Sequence, residues 1–173
     1  MNVLIIFGGL PGTGKTTLAR ELARQIGGMH LRIDSIEQAI LIYSPDLASL
    51  DDSGYRVAYS IAADNLRIGR TVIADSVNPL PITRDAWREV GRRAQAITIE
   101  IEITCSDARE HRRRVENRAA DIPGLKLPTW DQVASREYHQ WIGEHTVIDT
   151  AGRSVEQSVE CISKALPKQY SNF

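Results

Sequence analysis

The chain has 173 residues, with 42% hydrophobic and 25% charged side chains and a formal net charge of −1. Those figures suit one folded domain with a proper core, spanning 1–173, and set aside disordered and membrane-embedded classes. The near-zero charge also disfavours a protein that grips a long nucleic acid through a general basic surplus, so any basic site must be local.

The elements follow in chain order. Val3–Phe7 is an apolar run and predicts strand one. Thr16–Ile26 predicts a helix stopped by Gly27-Gly28, and Met29–Ile33 a short second strand. Ser35–Tyr43 reads as a helix with Ser35 as its N-cap, and Pro45–Ser53 as a polar connection. Gly54–Ile68 is helical by its apolar spacing, and Thr71–Ala74 is strand three. A helix over Ile82–Ala94 and strand four at Ile97–Thr104 come next, then a charged helix over Ser106–Arg118. Asp121–Pro128 reads as a loop, Thr129–Trp141 as helical, Thr146–Asp149 as strand five and Ser154–Leu166 as the closing helix, with Pro167–Phe173 a tail. Strands alternating with helices predict an α/β fold with a parallel sheet covered on both faces. Active residues then belong at the carboxyl ends of the strands.

Gly9 to Thr16 reads G-L-P-G-T-G-K-T, the form G-x-x-x-x-G-K-[ST], between a predicted strand and a predicted helix. In that context Gly9, Leu10, Pro11, Gly12, Thr13 and Gly14 would wrap a phosphate chain, all but Pro11 offering a backbone N–H, with Thr17 following. Lys15 would reach the β- and γ-phosphates of a nucleoside triphosphate, and the Thr16 hydroxyl would ligate Mg²⁺. Asp34, after strand two, can take the proton of an attacking hydroxyl or can merely support a helix dipole. Arg32 precedes it as a substrate-binding candidate. Asp75, after strand three, can hold metal, orient substrate or shape a turn, and Asn78 can bind substrate or shape the same turn. In the charged helix, Arg114 and Arg118 share a face and lead into the Pro/Gly loop, which predicts a lid at about 112–130. Arg84, Arg88 and Arg92 lie four apart and read most simply as a solvated face. Trp130 and Tyr138 flank the lid, where one could contact substrate. The four histidines show no metal-ligand spacing. Cys105 and Cys161 form no C-x-x-C pair and read as reduced thiols. Val3–Phe7 is too short for a signal-peptide core and no run reaches membrane length, so a cytoplasmic protein without a membrane partner is expected.

The phosphate loop, Arg32-x-Asp34-Ser35, Asp75-Ser76-x-Asn78 and the arginine-rich helix after strand four together resemble a small P-loop kinase. They are similar to the group that includes polynucleotide 5′-hydroxyl kinase domains, chloramphenicol phosphotransferase, gluconate kinase and adenylylsulfate kinase. The resemblance implies a three-layer P-loop NTPase fold, a sheet in the order 2-3-1-4-5 and a small lid. It implies that Asp34 is the base, that Arg114 and Arg118 contact ATP phosphates, and that Thr150-Ala151-Gly152 lies near adenine. Polynucleotide kinases place an arginine three residues after the base, where this chain has Glu37, which reads either as a solvated helix carboxylate or as a group that suits a neutral or cationic acceptor better than an anionic one. The expected activity is therefore ATP- and Mg²⁺-dependent phosphorylation of a small hydroxyl compound. Polynucleotide, nucleotide or adenylylsulfate kinases, and an ATPase switch without an acceptor, stand as alternatives.

Overall fold

The computed structural model describes residues 2–44 and 50–170. Its strands are β1 (Val3–Gly8), β2 (Met29–Arg32), β3 (Val72–Asp75), β4 (Ile97–Thr104) and β5 (Thr146–Asp149). All neighbours pair in parallel, in the order β2-β3-β1-β4-β5. The helices are α1 (Lys15–Ile26), α2 (Ile33–Tyr43), α3 (Ser53–Arg67), α4 (Pro81–Arg93), α5 (Ala108–Asn117), α6 (Trp130–Ala134) and α7 (Val155–Lys164).

Side chains of a strand alternate between faces, and β1 is central, so it feeds two cores. Val3, Ile5 and Phe7 pack with Leu18 and Leu22 of α1 and Val159 and Ile162 of α7. Leu4 and Ile6 pack with Ala58, Ala62 and Leu66 of α3 and Trp87 of α4. Every β1 residue is buried, which is why its sequence is continuously apolar. The result is the expected three-layer α/β fold. Trp87 is fully buried and meets Tyr59 edge-on at 4.6 Å. Trp87→Ala is expected to cost about 3–5 kcal/mol, read as a lower midpoint in urea unfolding.

Several local expectations are corrected. Ser35 is not an N-cap: Arg32 takes that place and α2 begins at Ile33. Ile33 is buried against the α3 side of the sheet, which draws the helix start back to the strand end. The helix expected over Thr129–Trp141 ends at Ala134. Beyond it, backbone groups turn outward to tertiary partners. The His139 N–H donates to the Pro79 carbonyl at 2.9 Å, and the Gln140 carbonyl accepts from Arg84 at 3.0 Å. Residues in Pro167–Phe173 are not simply a tail, because Lys168–Tyr170 forms a 3-10 turn and Tyr170 is buried beside the Thr71 hydroxyl. Positions 171–173 and the 45–49 part of the expected Pro45–Ser53 connection lie outside the described residues.

Candidate active site

The chain crosses from one side of the sheet to the other between β3 and β4, so the crevice beyond the ends of β1 and β3 is the topological switch point. The phosphate loop sits there. Gly12 (φ 86°) and Gly14 (φ 101°) hold a left-handed backbone that glycine adopts without strain. A Cβ on Gly12 would come 2.5 Å from Val115 Cγ2, so α5 packs directly on the loop. His111 Nε2 donates to the Pro11 carbonyl at 2.8 Å and fastens the same contact. Pro11, Gly12, Gly14, Lys15, Thr16 and Thr17 line the crevice. Gly9 stands behind them, its N–H donating to the Val77 carbonyl at 3.0 Å, and Thr13 Oγ1 donates to the Leu10 carbonyl at 2.9 Å.

Lys15 is 7% exposed and donates to the Leu10 carbonyl at 2.8 Å. Burial pushes its pKa down to about 8, while the carboxylates of Asp75 and Asp34 pull it back up. Phosphates placed beside it would raise it further, so a nucleotide complex holds this proton more tightly than the protein alone. Below about pH 8 Lys15 is charged in both forms and no proton moves. As pH rises through 8, binding takes up a proton and affinity falls. Calorimetry of ATP binding in buffers of different ionisation enthalpy should find uptake approaching one proton by about pH 9 and none from this source in Lys15→Met.

Asp34 lies in the first turn of α2, not at the strand end, and faces the crevice. Arg32 donates to it at 3.2 Å and to both oxygens of Asp121, at 3.0 and 2.8 Å. Arg20 of α1 binds Asp121 as well. The two arginines hold the Asp121 carboxyl down at about 2. Arg32 lines the crevice with its terminal nitrogens on these carboxylates and its buried Nε without a hydrogen-bond partner. Asp75 is 3% exposed and accepts from His30 Nε2 at 3.0 Å, yet still lines the crevice opposite Thr16.

The stretch expected to form a lid is irregular after α5. Arg118, Asp121, Leu125, Lys126, Leu127 and Pro128 all line the crevice. Arg118 Nε is buried without a hydrogen-bond partner. Burial lowers the Arg118 guanidinium's pKa and Asp34 opposes that shift. Its charge is therefore available to a ligand. Arg114 differs: it donates to Thr150 Oγ1 at 2.8 Å, to the Thr150 carbonyl at 3.0 Å and to Glu110 at 2.7 Å. Glu110 also accepts from the Gly152 N–H at 2.9 Å. Arg114 thus braces the loop after β5, and Thr150, which lines the crevice, ties that loop to the phosphate loop through the Thr13 carbonyl at 2.8 Å.

Asn78 is not among the residues that line the crevice. It is fully buried, has φ 48°, and donates to the Phe7 carbonyl at 2.7 Å. Arg84 is corrected as a solvated residue. It is 2% exposed and donates to the carbonyls of Asn78, Pro79, His139 and Gln140. Arg88 pairs with Glu100 and Arg92 with Glu89, and none of the three is among the residues lining the crevice. Tyr138 donates to Glu102, and Trp130 meets His111 edge-on; neither lines the crevice. Cys105 and Cys161 are free thiols, and burial pushes Cys105 up.

Arg136 and Tyr55 were not expected and both line the crevice. Tyr55 is placed by α3, whose period was visible, whereas Arg136 lies just past α6 and had no local signal. The crevice has a volume of about 1500 Å³, more than one small ligand needs. Among the described residues no helix is long and apolar enough to cross a membrane.

Residues 4–136 match the AAA domain family, and the chain belongs to it. No curated protein matches the chain. Its fold is similar to that of the APS kinase CysC of Mycobacterium tuberculosis in complex with AMPPNP and APS, at TM-score 0.69 and 21% identity, covering 93% of this chain and 95% of that one. A gluconokinase of Sinorhizobium meliloti 1021 gives TM-score 0.67 and 16% identity over 98% and 94%. Kti12 of Chaetomium thermophilum, in complex with ADP-AlF3, gives 0.64 and 21% over 95% and 99%. The fold is that of the small P-loop kinases.

Proposed function

We propose that this member of the AAA domain family is a phosphotransferase, moving the γ-phosphoryl group of ATP to a hydroxyl of a small molecule, within one kinase domain over 1–173. The observation that carries this reading is that one crevice is lined both by the phosphate loop and by Asp34. A nucleotide fills only part of about 1500 Å³, and the remainder suits an acceptor. In the reaction a bond forms between the acceptor oxygen and the γ-phosphorus, and the bond from phosphorus to the departing ADP oxygen breaks. Asp34 takes the hydroxyl proton, and Lys15 and Arg118 face the charge spread over the transferring group. Arg114 acts by holding Thr150, near which the adenine would sit.

Thr16 and Asp75 would hold Mg²⁺. Both line the crevice and offer a hydroxyl and a carboxylate, the hard oxygen donors that this ion requires. When bound, the ion neutralises phosphate charge. Cytoplasmic ATP and the two free thiols agree with action in the cytoplasm. A second reading is an ATPase switch without an acceptor, in which the phosphate loop and Arg118 along the crevice serve transfer to water. Incubation with Mg²⁺ and γ-labelled ATP separates the two. Label on a component of a pooled hydroxyl library supports the kinase, and release of phosphate unchanged by every pool supports the switch.

A further inference from the structure

The crevice wall around Asp34 has a chemical character of its own, and what it says about the acceptor rests on the kinase reading. Glu37 lies three residues after Asp34 on α2 and lines the same crevice. Residues at that spacing share a helical face, with Cβ atoms about 5–6 Å apart. The Glu37 stem lies hard against α3, since a Cβ on Gly54 would come 2.3 Å from Glu37 Cγ and 3.0 Å from its Oε1. Among the described residues the carboxylate has no hydrogen bond or ion pair. The charged groups it faces are Asp34, which opposes its ionisation, and Arg136, which favours it; burial outweighs both and raises its pKa. Arg136 also acts on Lys15, so its charge is within reach of the phosphate side. Beside Glu37 the crevice holds two hydroxyls. Ser76 is 5% exposed, and its buried Oγ lies within reach of the Tyr55 phenol. Tyr55 contributes a phenol whose oxygen accepts from the Asn78 N–H at 3.4 Å.

An unpaired, partly desolvated carboxylate with a phenol and a hydroxyl lining the same crevice calls for a cation that also brings polar groups. We propose that the acceptor carries a protonated amine close to the hydroxyl that is phosphorylated, as in an amino alcohol or amino sugar, with Glu37 receiving the ammonium and Ser76 and Tyr55 bonding its other hydroxyls. The spacing of Asp34 and Glu37 places the reacting hydroxyl and the amine a few bonds apart. The transfer itself is unchanged: the hydroxyl proton goes to Asp34, ADP leaves, and the ammonium keeps its protons throughout. Gly54 is a specificity residue in this scheme, because only a residue without a Cβ leaves the Glu37 carboxylate where it is.

The test reads binding and transfer separately. A panel of amino alcohols and amino sugars, each with its N-acetylated counterpart, is titrated into the full chain saturated with Mg²⁺ and a non-hydrolysable ATP analogue. At least one amine should bind about tenfold or more tightly than its N-acetyl form, and Glu37→Gln should abolish that preference. Gly54→Ala, which displaces the same carboxylate from the neighbouring helix, should do likewise. Unchanged ATP affinity and a cooperative melt show that either variant is folded. Equal binding of amines and N-acetyl forms, no binding of any amine, or a preference that survives Glu37→Gln overturns the amine assignment. Label transfer from γ-labelled ATP to the same panel is scored independently. Amine-selective binding without transfer would sink the kinase reading alone, and transfer without amine selectivity would sink the amine assignment alone.

Discussion

Asp34→Asn lowers turnover by about 10²–10⁴ and leaves ATP affinity within about twofold. The asparagine keeps the shape and cannot take a proton from the attacking hydroxyl. Its effect on folding is small, because the Asp34 side chain is 46% exposed and Arg32 retains both of its bonds to Asp121. Single-turnover transfer and displacement of a fluorescent nucleotide give the two quantities. Turnover close to that of the wild type would remove the base assignment. A matched loss of affinity would instead make Asp34 a nucleotide ligand.

Lys15→Met is expected to change two properties in opposite directions. Transfer falls by about 10³ or more, because the buried cation that faces the β- and γ-phosphates is gone. Stability rises. The folded-state pKa of about 8 lies below the ordinary 10.5, so the charged lysine opposes folding. That cost is complete below about pH 8 and disappears as pH climbs toward 10.5. At neutral pH it is on the order of 2–3 kcal/mol, of which the lost bond to the Leu10 carbonyl offsets a part. A net gain of about 1 kcal/mol would raise the melting temperature by about 2–4 °C. The gain should shrink when the melt is repeated near pH 10. A variant that melts lower at neutral pH would show that Lys15 holds the loop together more than its burial strains it.

The phosphate loop was legible because its glycines, lysine and threonine are contiguous and bounded by a strand and a helix whose periods are clear. The sheet order came from the resemblance rather than from any period, and the pairing agrees with it. Arg84 shows where reading by period fails. Its spacing with Arg88 and Arg92 suggested a solvated face, but only Arg84 sits over the end of β1, where Trp141 stacks at 4.6 Å and four carbonyls converge. No local pattern announces carbonyls contributed by residues 55 and 56 positions away. The same clamp explains the shortened α6 and the position of Arg136, which a continuous helix over Thr129–Trp141 would have carried elsewhere. Arg114 and Arg118 share a helical side in the sequence. The structure separates them by partner: Arg114 is tied to Thr150 and Glu110, whereas Arg118 retains an unbonded nitrogen.

The grip of Arg20 and Arg32 on Asp121 bears on traffic through the crevice. The Arg20–Asp121 pair is half exposed, at 52% and 40%, and so yields to ionic strength. On the lid reading, added salt is expected to loosen the stretch around Asp121 and quicken ligand passage, while it weakens the long-range pull of Lys15, Arg113, Arg118 and Arg153 on an anionic nucleotide. Two opposing slopes give a rate that first climbs and then declines as salt is raised. With Asp121 neutralised, only the decline would remain.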